Sequence, residues 1–241
     1  MGATAGQGES EGFRRTREFT LAALAVAYPT EEEARIFGAM RGELARHPGL
    51  GAMLARLSSG LGALQADYLG CFDHGQARVA LYETEYGRMR GLSKGNTLAD
   101  VVGFYTAFGF AIGEGAGVEM PDHLAVELEF YGLLLHKSAL LSENGDEVGL
   151  EIVEDARRKF LAEHLGGFVR AIASRPGVES DAVYGPLLGW CADLVEAECR
   201  RMDAHPAPLD FFAQEDVSEV ANCGGCVSIP GLTGPDPMTR R

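Results

Sequence analysis

Cys223-Gly224-Gly225-Cys226 has the spacing of a redox dithiol or of half a metal site. A thioredoxin-type dithiol sits where a strand meets a helix, because the helix N-terminus lowers the thiol pKa. Here Ser228, Pro230 and Gly231 follow, a composition that starts no helix. A zinc ion would need two further ligands. Cys191 and Cys199 are the obvious proposal, but eight residues of helix separate them by about 12 Å, too far for one ion. One of the two together with a histidine stays open. Cys223 and Cys226 are therefore the metal-ligand candidates, set against a tail that is merely irregular or bears an occasional disulfide; no metal is expected.

The remaining reactive types form no known constellation. His47, His74 and His205 lie beside Pro48, Asp73 and Pro206 and read as turn residues, whereas His164 near Phe160 and Phe168 reads as a half-buried packing residue. Gly91-Leu92-Ser93-Lys94-Gly95-Asn96-Thr97 resembles a phosphate loop but lacks the Gly-Lys-Ser/Thr order and a preceding strand. No Gly-x-Ser-x-Gly elbow and no His-Glu-x-x-His helix occurs. No catalytic residue and no cofactor follow from this pattern.

One segment stands out. In Glu119-Met120-Pro121-Asp122-His123-Leu124-Ala125-Val126-Glu127, Pro121 is expected in the first turn of a helix, with Asp122 where the helix dipole favours an anion. His123 and Glu127 then share a face, and taken alone they read as a surface pair on a capped helix. Upstream, Tyr82-Glu83-Thr84-Glu85-Tyr86 and the run containing Phe104-Tyr105 combine aromatics with carboxylates. Such a lining suits a groove for a peptide that is both apolar and basic. Glu83, Glu85, Glu119 and Asp122 would attract its cations, and Tyr82, Tyr86, Phe104 and Tyr105 would wall the groove.

The elements that must position these residues read as helices. Leu21, Leu24, Ala25 and Tyr28 have helical spacing, and Thr30 before Glu31-Glu32-Glu33 caps a second helix carrying Ala34, Phe37, Met40 and Leu44. A third runs from Met53 to Tyr68. Residues 81–96 predict a long connecting loop, and a helix follows from about Thr97 through Phe110 until Gly113, Gly115 and Gly117 stop it. Beyond the Pro121 helix, patterns cover about Gly149–Ala173 and Ser180–Met202, separated by Arg175-Pro176-Gly177. The expectation is an all-α chain: a flexible stretch at 1–11, a single helical domain at 12–204 of roughly seven or more helices, and an irregular Pro/Gly-rich tail at 205–241, part of it ordered against the body. Arg14-Arg15 before an apolar run imitates a twin-arginine signal, but Glu9, Glu11 and Glu18 interrupt it, and a first core helix explains more.

Composition narrows the partners. The chain has 241 residues with 35 acidic and 21 basic side chains, a net charge of −14, so nucleic acid and anionic lipid are poor partners and basic peptides good ones. No window offers the roughly 18 apolar residues of a membrane span. Five cysteines are too few for a disulfide scaffold and fit a reducing compartment such as the cytoplasm.

In this order, Tyr82 to Tyr86, Ala99-Asp100-x-x-Gly103-Phe104-Tyr105-x-Ala107-Phe108-Gly109, Pro121-Asp122-His123-Leu124-Ala125-Val126-Glu127-Leu128-Glu129-Phe130 and Phe160-Leu161-x-x-His164-Leu165 resemble the TorD/DmsD/NarJ family of cytoplasmic chaperones for molybdenum enzymes, over residues 13–203. The closest likeness is to its delta-type members. The resemblance implies a non-catalytic helical chaperone, a monomer or swapped homodimer, that binds the twin-arginine leader or apo form of a molybdopterin enzyme's catalytic subunit during cofactor insertion and before export. It also implies that Asp122 and His123 belong to the leader-binding region. Two alternatives use other features: a metal- or redox-active protein built on the Cys223/Cys226 tail, and a structural subunit of a reductase complex.

Overall fold

The first helix, α1 (Glu11–Val26), buries Phe19, Leu21, Ala22, Ala23, Ala25 and Val26, while Leu24 is only half-buried and Tyr28 beyond it is exposed. The inward face of α1 is thus offset from the expected Leu21, Leu24, Tyr28 stripe. This computed structural model describes residues 11–72, 79–87, 92–113 and 119–209. Against α1 lies α7 (Leu124–Asn144), whose Gly132 lets the two backbones approach: a Cβ there would sit 3.4 Å from Phe19 Cβ. Arg15 of the Arg14-Arg15 pair points inward and bonds Glu198, so the pair belongs to a packed helix.

Thr30 caps α2 (Glu31–Ala39) as expected. Glu32 N donates to Thr30 Oγ1 at 3.2 Å, and Thr30 N donates to Glu33 Oε2 at 3.0 Å. The second expected helix breaks at Met40, beyond which a short α3 (Arg41–Leu44) begins. The third is likewise two helices, α4 (Gly51–Leu57) and α5 (Leu61–Phe72), divided at Gly60, whose φ of 117° interrupts any helix. The expected loop at 81–96 contains a 3₁₀ turn, Glu83–Glu85, and gives way early to α6 (Leu92–Ala107). That helix stops before Gly109, which adopts φ 68°, so Phe110 lies outside it.

After α7, Gly145 takes the left-handed cap position at φ 70° and Asp146 caps α8 (Glu147–Phe160) by accepting from Gly149 N at 2.9 Å. The pattern read as one helix to Ala173 is interrupted by a π-helical turn, Leu161–Leu165, before α9 (Gly166–Ala173). A short α10 (Pro176–Glu179) fills the Arg175-Pro176-Gly177 connector, and α11 (Tyr184–Met202) starts four residues after Ser180. The segment 204–209 crosses Gly166 and Gly167. A Cβ on Gly166 would meet Pro206 at 2.9 Å, and one on Gly167 would meet Ala207 O at 2.6 Å, so the pair makes the seat for this return.

Among the described residues no extended strand occurs, and the core is all-helical: Phe19, Phe130, Phe160, Phe168, Leu128, Leu134, Leu135, Leu187 and Leu188 are wholly buried. Each such side chain contributes about 1.5–3 kcal/mol relative to an exposed one. One ionic group ties four helices through that core. Glu198 of α11 accepts from Arg15 of α1 at 2.9 Å, Arg157 of α8 at 2.9 Å and Tyr131 of α7 at 3.1 Å. Among the described residues, no helix is long and apolar enough to cross a membrane.

Candidate functional site: a buried clasp beside an apolar groove

The Pro121-Asp122-His123 motif does not begin a helix as expected. Pro121 and Asp122 form a turn, His123 is the N-cap, and α7 starts at Leu124. His123 Nδ1 accepts from Ala125 N at 3.1 Å, which requires that nitrogen to be unprotonated. Residues 79–87 lie antiparallel against this turn: Tyr82 bridges His123, Leu124 N donates to Leu81 O at 2.9 Å, and Glu83 N donates to Asp122 O at 2.9 Å. The Asp122 carboxylate then accepts from Thr84 Oγ1 at 2.7 Å and Thr84 N at 3.2 Å. Tyr105 of α6 donates to Pro121 O at 2.8 Å, and Tyr86 donates to Ala80 O at 2.8 Å across its own loop. The result is a clasp fastening residues 79–87 and α6 to the head of α7.

This geometry sorts the ten residues expected to line a leader groove. Glu83, Tyr86, Tyr105, Asp122, His123 and Glu127 are buried. The surface pair expected from His123 and Glu127 does not form at a surface. Burial also gives the substitution of Asp122 or His123 a stability cost. Tyr82, Glu85, Phe104 and Glu119 are partly exposed. Glu85 is paired with Lys94, and Phe104 packs edge-on against Phe160 and His164 at ring separations of 5.4 and 5.6 Å. Tyr82 donates to Glu119 Oε2 at 3.0 Å; its hydroxyl is pushed up to about 12, first by burial and then by the Glu119 charge.

Glu127 has neither carboxylate oxygen hydrogen-bonded and is wholly buried. Burial, reinforced by the nearby Glu83 and Asp122 charges, lifts its carboxyl well above the usual range and favours the neutral acid. His164 was expected to be a packing residue. It is instead ion-paired, its Nδ1 lying 3.1 Å from Glu83 Oε2. Burial opposes charge on this imidazole, but Glu83 and then Asp100 outweigh it and raise its pKa.

Beside the clasp runs a groove of about 390 Å³ between α1, residues 110–113 and α7, lined by Thr20, Ala23, Leu24, Ala27, Phe110, Ile112, Ala125 and Val126. Glu33, Glu119 and Glu129 stand on its wall, and Glu119 is also the clasp's outer member. None of the apolar groove residues was among the sequence candidates. Their signal was the apolar surplus on α1 and α7, where Leu24 and Val126 fall outside the buried stripe. Of the cysteines, Cys71, Cys191 and Cys199 are buried, and the last two occupy a single helix, α11. Cys223 and Cys226 lie outside the described residues.

The described body is thus helical, with an apolar groove at its surface and Glu33, Glu119 and Glu129 on the groove wall. The nitrate reductase delta subunit family model matches residues 39–174, more than half of the chain, and the chain belongs to that family. It is 34% identical over 148 residues to the chlorate reductase assembly chaperone protein of Ideonella dechloratans, covering 59% of this chain and 72% of that one. It is 35% identical over 145 residues to the selenate reductase assembly chaperone protein of Thauera selenatis, covering 58% and 70%. A redox enzyme maturation protein from Archaeoglobus fulgidus shares 21% identity and a TM-score of 0.45, over 81% of this chain and 99% of that one. The delta-type, TorD/DmsD/NarJ-like membership expected from the motifs is thereby confirmed.

Proposed function

We propose that this protein is a non-catalytic assembly chaperone for the catalytic subunit of a molybdenum-containing oxidoreductase, and that it holds the subunit's N-terminal leader while the cofactor is inserted. The relatives' role as reductase assembly chaperones supports the class. The apolar groove with Glu33, Glu119 and Glu129 on its wall carries the specific reading. An apolar leader segment would bury against Leu24, Phe110, Ile112 and Val126, with about 25 cal/mol gained per Å² removed from water. The leader's arginines would face the three carboxylates, which adds encounter rate and selectivity more than affinity. The clasp would set the groove's edge through Glu119, so Asp122 and His123 would act on binding by holding that edge in place.

In this role the chain would act in the cytoplasm, before export of its client. Co-purification tests it. The full chain should retain the immature, leader-bearing catalytic subunit and release the mature cofactor-loaded form. Equal recovery with the mature enzyme would indicate a permanent structural subunit instead.

A further inference from the structure

A cavity of about 770 Å³ opens between residues 83–87, α6, the π-helical turn and the return segment at Leu209. Glu83, Asn96, Asp100, Glu163 and His164 line it. The proposed client binding uses none of these groups as its contact surface. We propose that Asp100, Glu163 and His164 form a binding site for one divalent transition-metal ion, with Glu83 behind His164 as the group that orients its ring.

Three observations carry this. One ligand atom from each of Asp100, Glu163 and His164 lies within 4.8 Å of the others, although Asp100 comes from α6 and the other two from the π-helical turn. Ligand atoms around a tetrahedral ion stand about 3.3–3.6 Å apart for bonds of about 2.0–2.2 Å, so closing the set takes small rotations of the two exposed carboxylates. Second, His164 is 3% exposed and its Nε2 has no hydrogen bond, with Asp100 Oδ2 at 3.3 Å outside bonding geometry. A buried ring nitrogen without a hydrogen bond on a cavity wall is a donor set aside for a ligand. Third, the opposite nitrogen, Nδ1, lies 3.1 Å from the buried carboxylate of Glu83. A carboxylate behind the imidazole is the arrangement that fixes tautomer and ring orientation in histidine metal sites. The π-helical turn itself, a form concentrated at functional sites, brings the adjacent Glu163 and His164 to one cavity.

The donor set names the class of ion. One imidazole and two carboxylates suit Zn²⁺, Mn²⁺ or Fe²⁺ rather than ions that demand thiolates. On binding, the ion takes the place of any proton at Nε2, which leaves to solvent, and its two positive charges are balanced by the negative charges of Asp100 and Glu163.

The test uses the full chain carrying Cys223→Ser and Cys226→Ser, so that the tail thiols contribute nothing, titrated with Zn²⁺ by calorimetry and followed by metal analysis. One equivalent should bind, and Asp100→Asn with Glu163→Gln should weaken it by about tenfold or more. Both substituted residues are exposed, so the metal-free variant should stay folded, melting lower only by the loss of the Asp100–His164 ion pair. Zn²⁺ should raise the melting temperature of the parent and leave that of the variant unmoved. Absence of saturable uptake, or uptake undiminished in the Asp100→Asn, Glu163→Gln protein, would overturn the proposal and leave an imidazolium held between carboxylates.

Discussion

Tyr82 donates its phenolic hydrogen to Glu119 Oε2 at 3.0 Å, and through that bond the clasp at residues 79–87 touches the wall of the apolar groove. Tyr82 also meets His123 edge-on at a ring separation of 5.1 Å, so a buried histidine, a half-exposed tyrosine and a groove carboxylate form one connected line. Asp122 and His123 do not line the groove themselves, but Tyr82 and Glu119 connect them to its wall.

Asp122→Ala tests the clasp. It removes the acceptor of the Thr84 N and Oγ1 bonds and strands both donors. The expected cost is about 1–3 kcal/mol of stability, with residues 79–87 becoming more protease-sensitive. Denaturant unfolding measures the first and limited proteolysis the second; an unchanged midpoint would show that the clasp is not under tension from these bonds.

The rim carboxylates should act on encounter more than on affinity. Glu119→Gln with Glu129→Gln is expected to slow association with an arginine-bearing peptide several-fold at low salt and to flatten the salt dependence of the rate. Stopped-flow mixing across a range of ionic strength reads both effects. A salt slope identical to the parent's would assign the steering to other carboxylates.

Glu127 makes a prediction of the opposite sign to most buried substitutions. Its carboxyl pKa is raised on folding, so the folded state binds one more proton than the unfolded chain once pH exceeds the ordinary value of 4.5. Stability then falls as pH rises, by up to about 1.4 kcal/mol per pH unit, until the folded pKa is passed. Glu127→Gln should abolish that decline and melt higher than the parent at neutral pH. Thermal unfolding at several pH values checks it, and a lower melting temperature at neutral pH would contradict it.

Glu198 behaves conversely. Burial alone would raise its carboxyl, but hydrogen bonds and charge from Arg15 and Arg157 hold it below its ordinary value. Its contribution is therefore complete above the unfolded value of 4.5 and is lost as pH falls through the lower folded one. Glu198→Ala leaves the buried Arg157 guanidinium uncompensated and should cost about 3–5 kcal/mol, on the order of 10 °C in melting temperature.

The helices were legible because the apolar residues of α1, α7, α8 and α11 repeat at helical spacing, and Thr30 was a readable cap. Their interruptions were not, since Gly60 and Gly109 break helices through backbone angles that no side-chain pattern records, and nothing in Phe160 to Leu165 announces a π-helical turn. The motif order pointed to the right family. It misjudged exposure, because Asp122, His123 and Glu127 are polar residues satisfied or neutralised inside, and polarity alone reads as surface. The Glu83–His164 pair spans 81 residues and could only be seen once folded.

The central claim is that the groove between α1 and α7 accepts the client's leader. Val126 is half-buried on its wall, so Val126→Asp places a charge in the groove at small expense to the core. Calorimetric titration with the N-terminal peptide of the co-purifying catalytic subunit should give one site per chain in the parent and at least about tenfold weaker binding in Val126→Asp, a loss of about 1.4 kcal/mol, with the melting temperature little changed. Equal affinity in the two proteins would contradict the account and move leader binding elsewhere on the surface.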